Sequence, residues 1–322
     1  MSRAYAVIHK NSRVRMLSRS GGIFTALSDY ILEHGGVVYG CVLNKDLLAV
    51  HVRATDKLVR DQMRGSKYIQ SDMSQVMKQL VKDVAENRLV LFTGTTCQVV
   101  AVRAMFHSNP ENLILMDVVC HGVPSPSVWK RYIRWVEKKY SSKCSSADFR
   151  NKIDFGWRAH IETLYVEKKS YVRKVSQNYF RTLFYRHNVL RPACFNCPYK
   201  TLNRITDISI ADCWGIEKVA PQMDDNCGVS LVLIGTVKGE QLFSAVSSDL
   251  EIASIDVADC MQPSFVRPVD VPKERTEFWR DFYEMEFIKV LKKYADYGIY
   301  YSCLNRIKKA KHKLKSCLFE NL

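Results

Sequence analysis

The chain has 322 residues, of which 47% are hydrophobic and 25% charged, a composition typical of a globular protein with a sizeable core. It contains no apolar run near the roughly 20 residues of a membrane-spanning helix and no signal-peptide pattern at its start, so we expect a cytoplasmic protein. The net charge of +15 indicates an anionic partner, but zinc-finger, RNP-type and helix-turn-helix patterns are missing, so no nucleic acid is expected.

Residues 1–145 alternate between strand and helix patterns, which is typical of an α/β protein. Period-2 and continuous apolar runs predict strands at 5–9, 37–43, 48–54, 89–93 and 113–119. Apolar residues at helical spacing predict helices at 22–34, 56–63, 73–86, 97–106 and 127–140. We expect this part to contain a ligand-binding site, for the reasons given below.

Residues 146–270 have a different, α+β pattern, and the polar stretch around 141–153 suggests the boundary. The predicted strands are 155–158, 164–175, 208–210, 230–236 and 250–255. The predicted helices are 179–187 and 238–248, and a loop rich in Pro and Cys covers 190–204. Overall we predict an α/β fold with a mixed sheet core, flanking helices and a smaller α+β C-terminal part.

Residues 271–322 form a predicted helical segment, with one long aromatic helix at 276–297 followed by a basic tail. In the tail, basic residues alternate with apolar ones: Leu304, Arg306, Ile307, Lys308, Lys309, Lys311, Lys313, Leu314, Lys315 and Leu318. Such a basic amphipathic helix is typical of peripheral contact with an anionic membrane face, here the inner face. A solvated terminal helix is the alternative.

Eleven cysteines in a reducing compartment indicate metal binding or redox chemistry for those that cluster. Cys194 and Cys197 form a Cys-x-x-Cys pair, and Pro198 after it resembles the end of ferredoxin-type cluster loops. A metal or iron–sulfur site is the favoured interpretation. A thioredoxin-like dithiol and a purely structural pair remain open.

A cluster or closed zinc site needs four ligands, so two more thiolates are required. Cys97 and Cys120 each follow a predicted core strand, at the carboxyl edge where open α/β sheets hold their ligands. Cys213 is a reserve ligand. The remaining cysteines are interpreted as structural: Cys41, Cys144, Cys227, Cys260, Cys303 and Cys317.

Two short segments have residues suited to a phosphate-containing ligand, although the chain has neither a GxGxxG nor a P-loop pattern. Ser20, Gly21 and Gly22 open a predicted helix, and Thr25 adds a hydroxyl on its first turn. An ordinary helix start explains the same residues.

The second segment, Gly65–Tyr68, combines a turn with a cation, Lys67, and an aromatic ring, Tyr68. These groups suit a phosphate and a flavin or adenine ring, whereas an exposed turn is the alternative. His121, directly after Cys120, is a candidate proton donor or a structural histidine.

In this order and spacing, the segments resemble the beta subunit of coenzyme F420 hydrogenases and dehydrogenases. Relatives in that family include flavin-containing chlorophyll-pathway reductases and bacterial proteins encoded with surface-polysaccharide genes. The resemblance covers about two-thirds of the chain, in SRSGGIFTAL (18–27), GGVVYG (35–40), RGSKYIQSD (64–72), VLFTGTTCQ (90–98), VVCHGVPSPSVW (118–129), LRPACFNCPYK (190–200) and DISIADCWG (207–215).

The resemblance implies FAD beside one 4Fe-4S cluster. The cluster ligands would be Cys97, Cys120, Cys194 and Cys197. The flavin contacts would be Ser20, Gly21, Gly22, Thr25, Lys67 and Tyr68, with Gly94, Thr95, Gln98 and His121 near the ring system and His121 as the catalytic candidate.

The chain departs from the family pattern in three ways. Thr96 stands where Pro is usual, which would loosen that loop, and Ala211 stands where Gly is usual. The ferredoxin-like extension of many relatives is missing, so we expect a single cluster and a separate acidic donor such as ferredoxin.

The resulting hypothesis is a reductase that passes electrons through cluster and flavin to a small organic or sugar-linked substrate, for example in cell-surface polysaccharide biosynthesis. One alternative is an electron-transfer subunit that reduces a deazaflavin or a partner protein. A second alternative is a zinc-stabilised binding module without redox chemistry.

Overall fold

The computed structural model describes residues 3–169 and 171–298. The predicted basic tail, from Leu304 to Leu318, lies outside the described residues. The strands are β1 Arg3–His9, β2 Val37–Leu43, β3 Ala49–Ala54, β4 Val90–Thr95, β5 Leu113–Val118, β6 Cys144–Asp148, β7 Glu162–Glu167, β8 Val172–Gln177, β9 Ile208–Asp212, β10 Ser230–Ile234 and β11 Leu250–Ile255.

The α-helices are α1 Ser12–Leu17, α2 Ile23–Glu33, α3 Lys57–Asp61, α4 Met77–Ala85, α5 Thr96–Arg103, α6 Pro126–Tyr140, α7 Lys152–Phe155, α8 Tyr179–Tyr185, α9 Ile216–Val219, α10 Val237–Ala245, α11 Arg275–Glu284 and α12 Phe287–Tyr294. The CxxC loop contains a short 3-10 helix, Pro192–Asn196. None of the described helices is long and apolar enough to cross a membrane.

Eight strands form the central mixed sheet in the order β11-β1-β10-β9-β5-β4-β2-β3. The four strands β2, β4, β5 and β9 are parallel, and the remaining neighbours pair antiparallel. Alternation along β4 explains why helices cover both faces: Leu91 packs towards α2, whereas Val90 and Phe92 pack towards α4 and α5. The predicted α/β class with a mixed sheet is confirmed.

Strands from both predicted parts build this sheet, because β1 lies between β10 and β11. The three-stranded antiparallel sheet β6-β7-β8 stands apart and packs with α6, α8, α11 and α12 in one aromatic core. The division into parts at 1–145, 146–270 and 271–322 stays a prediction.

Three predicted elements differ in the structure. The segment 155–158 is not a strand: Phe155 ends α7, which the side chain of Asn151 caps at its start. The segment 164–175 is a hairpin, β7 and β8, that turns back after Glu167. The predicted helix 276–297 breaks at Met285, whose carbonyl accepts a hydrogen bond from the Arg131 guanidinium.

Candidate functional site

A large cavity of about 1230 Å³ lies at the carboxyl ends of the parallel strands β4, β5 and β9. Ligand sites typically enclose roughly 300–1,000 Å³, so the space suits an extended ligand together with a second molecule. Most predicted site residues line this cavity: Ser20, Gly22, Lys67, Tyr68, Gly94, Thr95, Cys97, Gln98, Cys120 and His121. Gly21, Thr25, Cys194 and Cys197 lie outside its lining.

Gly21 and Thr25 have roles in packing. A Cβ at Gly21 would stand 2.0 Å from the Val7 carbonyl oxygen and 2.6 Å from the Ser230 nitrogen, so only glycine fits against the sheet there. The Thr25 side chain is buried and accepts a hydrogen bond from Arg64 Nε at 3.0 Å. Neither residue lines the cavity.

The N-terminus of α2 faces the cavity through Gly22, Ile23 and Phe24. Gly22 adopts φ +101, a left-handed conformation that glycine adopts without strain. The first N–H groups of a helix have no partners within the helix and favour an anion. This end of α2 therefore fits a phosphate.

Cations surround the same end of the cavity. Lys67 Nζ donates to the carbonyls of Gln62 at 2.8 Å and Arg64 at 3.0 Å, and burial lowers the pKa of Lys67 to about 8. Arg19 and Arg150 also line the cavity, and the buried Nε of each has no hydrogen-bond partner among the described residues. Buried unpaired guanidinium N–H groups are costly, which favours an anionic ligand here.

Gln98 anchors a chain of hydrogen bonds along the cavity wall. Its Oε1 accepts from the Thr95 N–H at 3.0 Å, and its Nε2 donates to Ser71 Oγ at 2.8 Å. Ser71 Oγ bonds His51 Nδ1 at 3.0 Å, and His51 Nε2 bonds the Thr93 carbonyl at 2.9 Å. Because that carbonyl only accepts, Nε2 is the protonated nitrogen of His51 and Nδ1 accepts from Ser71.

The segments that contain the four candidate cysteines are adjacent. Cys97 lies on the first turn of α5, and Cys120 follows β5. Backbone bonds join the turn after Cys120 to the CxxC loop: Arg191 N donates to the Val123 carbonyl at 2.8 Å, and Ser125 N to that of Val189 at 2.9 Å. The sheet edge and the loop are therefore one continuous site.

The thiols of these cysteines affect one another electrostatically. Burial and, to a smaller extent, the nearby thiols of Cys194 and Cys97 raise the pKa of Cys120 to about 12, against the opposing effect of Lys200. Burial also raises the pKa of Cys194, which Cys97 and Cys197 raise further. Two backbone N–H groups lower these pKa values: that of Gly122 acts on Cys120, and that of Val123 acts on Cys194.

A buried cation lies next to the same cysteines. Lys200 Nζ donates to the carbonyls of Cys120 and of His121, the latter at 2.8 Å. Burial lowers the pKa of Lys200, and this effect is partly offset by the thiols of Cys120, Cys197 and Cys194.

The four thiols are free, and among the described residues no three His, Cys, Asp or Glu groups stand in the geometry that binds one metal ion. The cysteine ligands of an iron–sulfur cluster bind different irons, so they do not need the geometry that a single ion requires.

The structure also shows the surroundings of Thr96 and Cys213, two further residues considered in the sequence analysis. Thr96, expected to loosen its loop, is held there because its hydroxyl donates to the buried carboxylate of Asp117. Cys213, the reserve ligand, is buried in another core cluster with its Sγ 3.6 Å from that of Cys260.

His121 lies in an aromatic wall of the cavity with Phe184 and Tyr185. Its Nε2 stands 2.8 Å from that of His187, so one ring donates its Nε2–H to the other. Burial, with His187 and Lys200 nearby, lowers the pKa of His121 to about 4. The ring is therefore neutral at physiological pH, and its catalytic role stays a prediction.

Glu162 holds the helix that presents this wall. Its carboxylate accepts from the N–H groups of Phe180 at 3.2 Å and Arg181 at 3.0 Å, the first-turn donors of α8, and from the Tyr132 hydroxyl. Burial raises the pKa of Glu162 to about 7. Proton binding by this group is therefore linked to folding of the cavity wall.

A pH effect follows from Glu162. The pKa of Glu162 is near 4.5 in the unfolded chain and about 7 in the folded chain. Between these two pH values the folded chain binds more protons than the unfolded chain, so stability falls as pH rises. From about pH 5 to about pH 8 we expect Glu162 to lower the free energy of unfolding by about 2 to 3 kcal/mol. Urea unfolding of the wild type and Glu162→Gln at both pH values measures this; parallel pH profiles of the two proteins would contradict it.

Several cavity residues were not predicted from the sequence: Arg19, His51, Arg64, Ser71, Arg150 and Tyr185. A seventh cavity residue, Asp117, gave a usable signal, because it is a carboxylate inside the apolar run of β5 and buried charges require partners. Arg19, Arg64 and Ser71 lie inside segments that resemble the family, and His51 lies in a predicted strand, but no feature of the sequence marked these side chains as site residues.

The comparisons with known proteins agree with this geometry. The sequence profile for the C terminus of the coenzyme F420 hydrogenase/dehydrogenase beta subunit matches residues 87–258, more than half of the chain. Among solved structures, a chain of the xenon-derivatised F420-reducing nickel–iron hydrogenase complex from Methanosarcina barkeri has a TM-score of 0.50 at 19% identity. That alignment covers 91% of this chain and 88% of the other, and at this identity the likeness concerns the fold. No curated protein matches the chain.

Fold and site together define an α/β protein with a large glycine- and cation-lined cavity, bordered by free cysteines, at the carboxyl edge of its sheet. The chain belongs to the coenzyme F420 hydrogenase/dehydrogenase beta subunit family, which confirms the resemblance found in the sequence. The family consists of oxidoreductase subunits, so the role of the chain lies in redox chemistry and electron transfer.

Proposed function

We propose that the protein is a flavin- and iron–sulfur-dependent reductase. Electrons would pass from a one-electron donor, through a 4Fe-4S cluster and FAD, to a small organic or sugar-linked substrate, for example in cell-surface polysaccharide biosynthesis. The supporting observation is the junction of a large anion-suited cavity with four free cysteines from adjacent segments.

The donor set suits an iron–sulfur cluster. Cys97, Cys120, Cys194 and Cys197 would hold it, each through its thiolate. The N–H groups of Gly122 and Val123 face two of these thiols and would stabilise their anionic forms. Lys200, whose ammonium lies beside three of the four, offsets part of the negative charge of the ligands.

The cavity suits a flavin dinucleotide. The N-terminus of α2 at Gly22, with Arg19 and Lys67, would hold the phosphates, and Tyr68 and Gln98 lie farther along the lining. When bound, a cluster supplies single electrons and a flavin stores two and releases them as a hydride.

The remaining wall would bind the substrate. The Arg150 guanidinium, paired with Asp212 at 2.6 Å, and the Tyr185 hydroxyl line the cavity beside the aromatic side chains around His121. The neutral His121 ring holds or accepts a proton at Nε2 together with His187.

An acidic one-electron donor, such as a ferredoxin, would dock over Cys97. The Cys97 side chain is exposed, whereas the other three candidate ligands are partly buried. Two arginines are also exposed: Arg103 on the same helix as Cys97, and Arg191, which acts on the Cys194 thiol, before the CxxC loop. Their positive charge suits an acidic partner and would increase the rate of association.

A second candidate function is that of an electron-transfer subunit that reduces a deazaflavin or a partner protein. The supporting observation is the likeness in fold to a chain from a hydrogenase complex, together with the exposed thiol of Cys97. Reoxidation tests of the reduced protein separate the two: coenzyme F420 as acceptor supports the second, and a sugar-linked pathway intermediate supports the first.

The first test is the absorption spectrum of full-length protein purified without oxygen. Flavin bands with a broad shoulder that bleaches on addition of dithionite are expected, with FAD rather than FMN released on denaturation. Metal analysis accompanies the spectrum. A colourless protein with one bound zinc would refute the redox proposal and support a zinc-stabilised binding module.

A further inference from the structure

A buried polar network connects the segments of the candidate cluster ligands. Its centre is Asp117 on β5, which is fully buried and pairs with the equally buried guanidinium of Arg204. We call the group the Asp117 network; its members are Thr96, Asp117, Arg204, Thr206 and Ser209. The hydroxyls of Thr206 and Ser209 donate to the same carboxylate, the first at 2.9 Å.

Arg204 connects the network to the CxxC loop. Its Nη1 donates to the carbonyls of Tyr199 at 3.0 Å and Thr201 at 3.2 Å, which lie two and four residues after Cys197. Its Nε donates to Ser209 Oγ at 3.1 Å. Only a planar guanidinium, with five N–H donors in a fixed arrangement, can make all of these bonds at once.

Thr96 connects the network to the second ligand segment. It is the first residue of α5 and directly precedes Cys97. Its hydroxyl accepts from Arg204 Nη2 at 2.6 Å and donates to Asp117. Both hydrogen-bonding functions of the hydroxyl are thus used, which fixes the start of the helix relative to β5.

Asp117 itself provides the third connection, because it precedes Cys120 by three residues on the strand that leads into that turn. The network therefore reaches all three ligand segments. Thr96 directly precedes Cys97, Asp117 lies three residues before Cys120, and Arg204 binds the backbone two residues after Cys197. A carboxylate and a guanidinium at this depth are stable only as a fully bonded pair, so the network is rigid.

We propose that Arg204, through Asp117 and Thr96, is a positioning residue that sets the relative placement of Cys97, Cys120 and Cys197 for iron–sulfur binding. This inference rests on the proposed function. Its role differs from that of the ligands, since Arg204 acts on their backbone segments and not on the cluster.

The test compares cluster loading in full-length Arg204→Met, Thr96→Val and Thr96→Ser with that of the wild type. Each is reconstituted without oxygen using ferrous iron and sulfide, then assayed for iron, acid-labile sulfide and flavin per chain. For Arg204→Met we expect an iron affinity about 10- to 100-fold lower, the usual loss when groups that orient metal ligands are removed. Flavin content should stay at the wild-type value.

The two threonine variants separate hydrogen bonding from packing. Thr96→Val keeps the shape but not the hydroxyl, so its iron content should fall and the electron paramagnetic resonance spectrum of its reduced form should change. Thr96→Ser keeps the hydroxyl and should match the wild type in both measurements. If Arg204→Met does not fold, this pair decides the question.

The matched control is Arg53→Met, which breaks the pair of a half-buried arginine with a buried carboxylate, Arg53 with Asp83, at 2.6 Å between Nε and Oδ2. It lies at the β3 and α4 side of the sheet, without contact to the cysteines. We expect a loss of stability in urea but wild-type iron content.

If folded Arg204→Met and Thr96→Val both have the iron content and the resonance spectrum of the wild type, this inference is wrong, and the proposed function is unaffected. Equal iron loss in Arg53→Met and Arg204→Met would also overturn it, because general destabilisation would then explain the effect. A wild type that binds no iron and sulfide would instead overturn the proposed function.

Discussion

Cys194→Ser is expected to remove iron–sulfur binding, reducing the iron content from about four atoms per chain to less than about one. The Cys194 thiol is close enough to Cys97 and Cys197 to share their electrostatic influence, and the Val123 N–H faces it. A serine hydroxyl stays protonated at neutral pH and is a poor replacement for thiolate. Iron and sulfide analysis after reconstitution without oxygen measures the loss.

Cys227→Ser is the matched control for this variant. Cys227 is also partly exposed and free, but it lies in the loop before β10, where its carbonyl accepts from Lys152 at 2.7 Å. Its serine variant should retain iron. Full iron content in Cys194→Ser would exclude Cys194 as a ligand, and loss in both variants would point to a general effect of removing a thiol.

Gly21→Ala is expected to destabilise the whole fold, by at least about 3 kcal/mol, the upper end for overpacked positions. The added Cβ would stand 2.0 Å from a backbone carbonyl oxygen of β1, which no side-chain rotation can relieve. The Gly21 carbonyl also accepts from the His9 N–H at 2.7 Å, so displacement of this segment breaks a backbone bond. Urea unfolding of the purified variant measures the effect.

Gly35→Ala is the control, because Gly35 has a positive φ of +72 but nothing within 4 Å of the added Cβ. It isolates the cost of the left-handed backbone, roughly 1 to 2 kcal/mol. If Gly21→Ala is as stable as Gly35→Ala and only binds flavin less well, the interpretation of Gly21 as a packing residue is wrong and its role is in ligand contact.

Elements with strong periodicity could be predicted from the sequence. The continuous apolar residues of β4 and the helical spacing in α2 both gave elements within two residues of their observed bounds. The predicted helix 276–297 failed because a distant residue, Arg131, takes the Met285 carbonyl out of the helix. Asp281, before the break, then accepts from Lys293 and Tyr294 after it. Local patterns contain no information about such tertiary contacts.

The site was predictable where chemistry follows from position along the chain. Gly22, Cys97 and Cys120 were selected because they follow strands or open helices. Lys67 was selected because it combines a cation with a turn and an aromatic ring, and all four residues line the cavity. Arg204 was not selected, because its charged partner, Asp117, and the hydroxyl of Thr96 lie far away in the sequence and its own segment is an irregular loop. A buried arginine of this kind becomes visible only when the strands that surround it are assembled.

The position of β1 between β10 and β11 has a consequence for synthesis of the protein. Tyr5 pairs with Val232 and with Ser254, so β1 cannot find its partners until β10 and β11, far later in the chain, have been made. Contacts so distant in sequence close slowly, and until they form both edges of β1 are open to aggregation. A nascent chain that has not yet reached β10 is therefore expected to depend on chaperones, and the cavity, which Ser230 on β10 lines, forms only after that strand has been made.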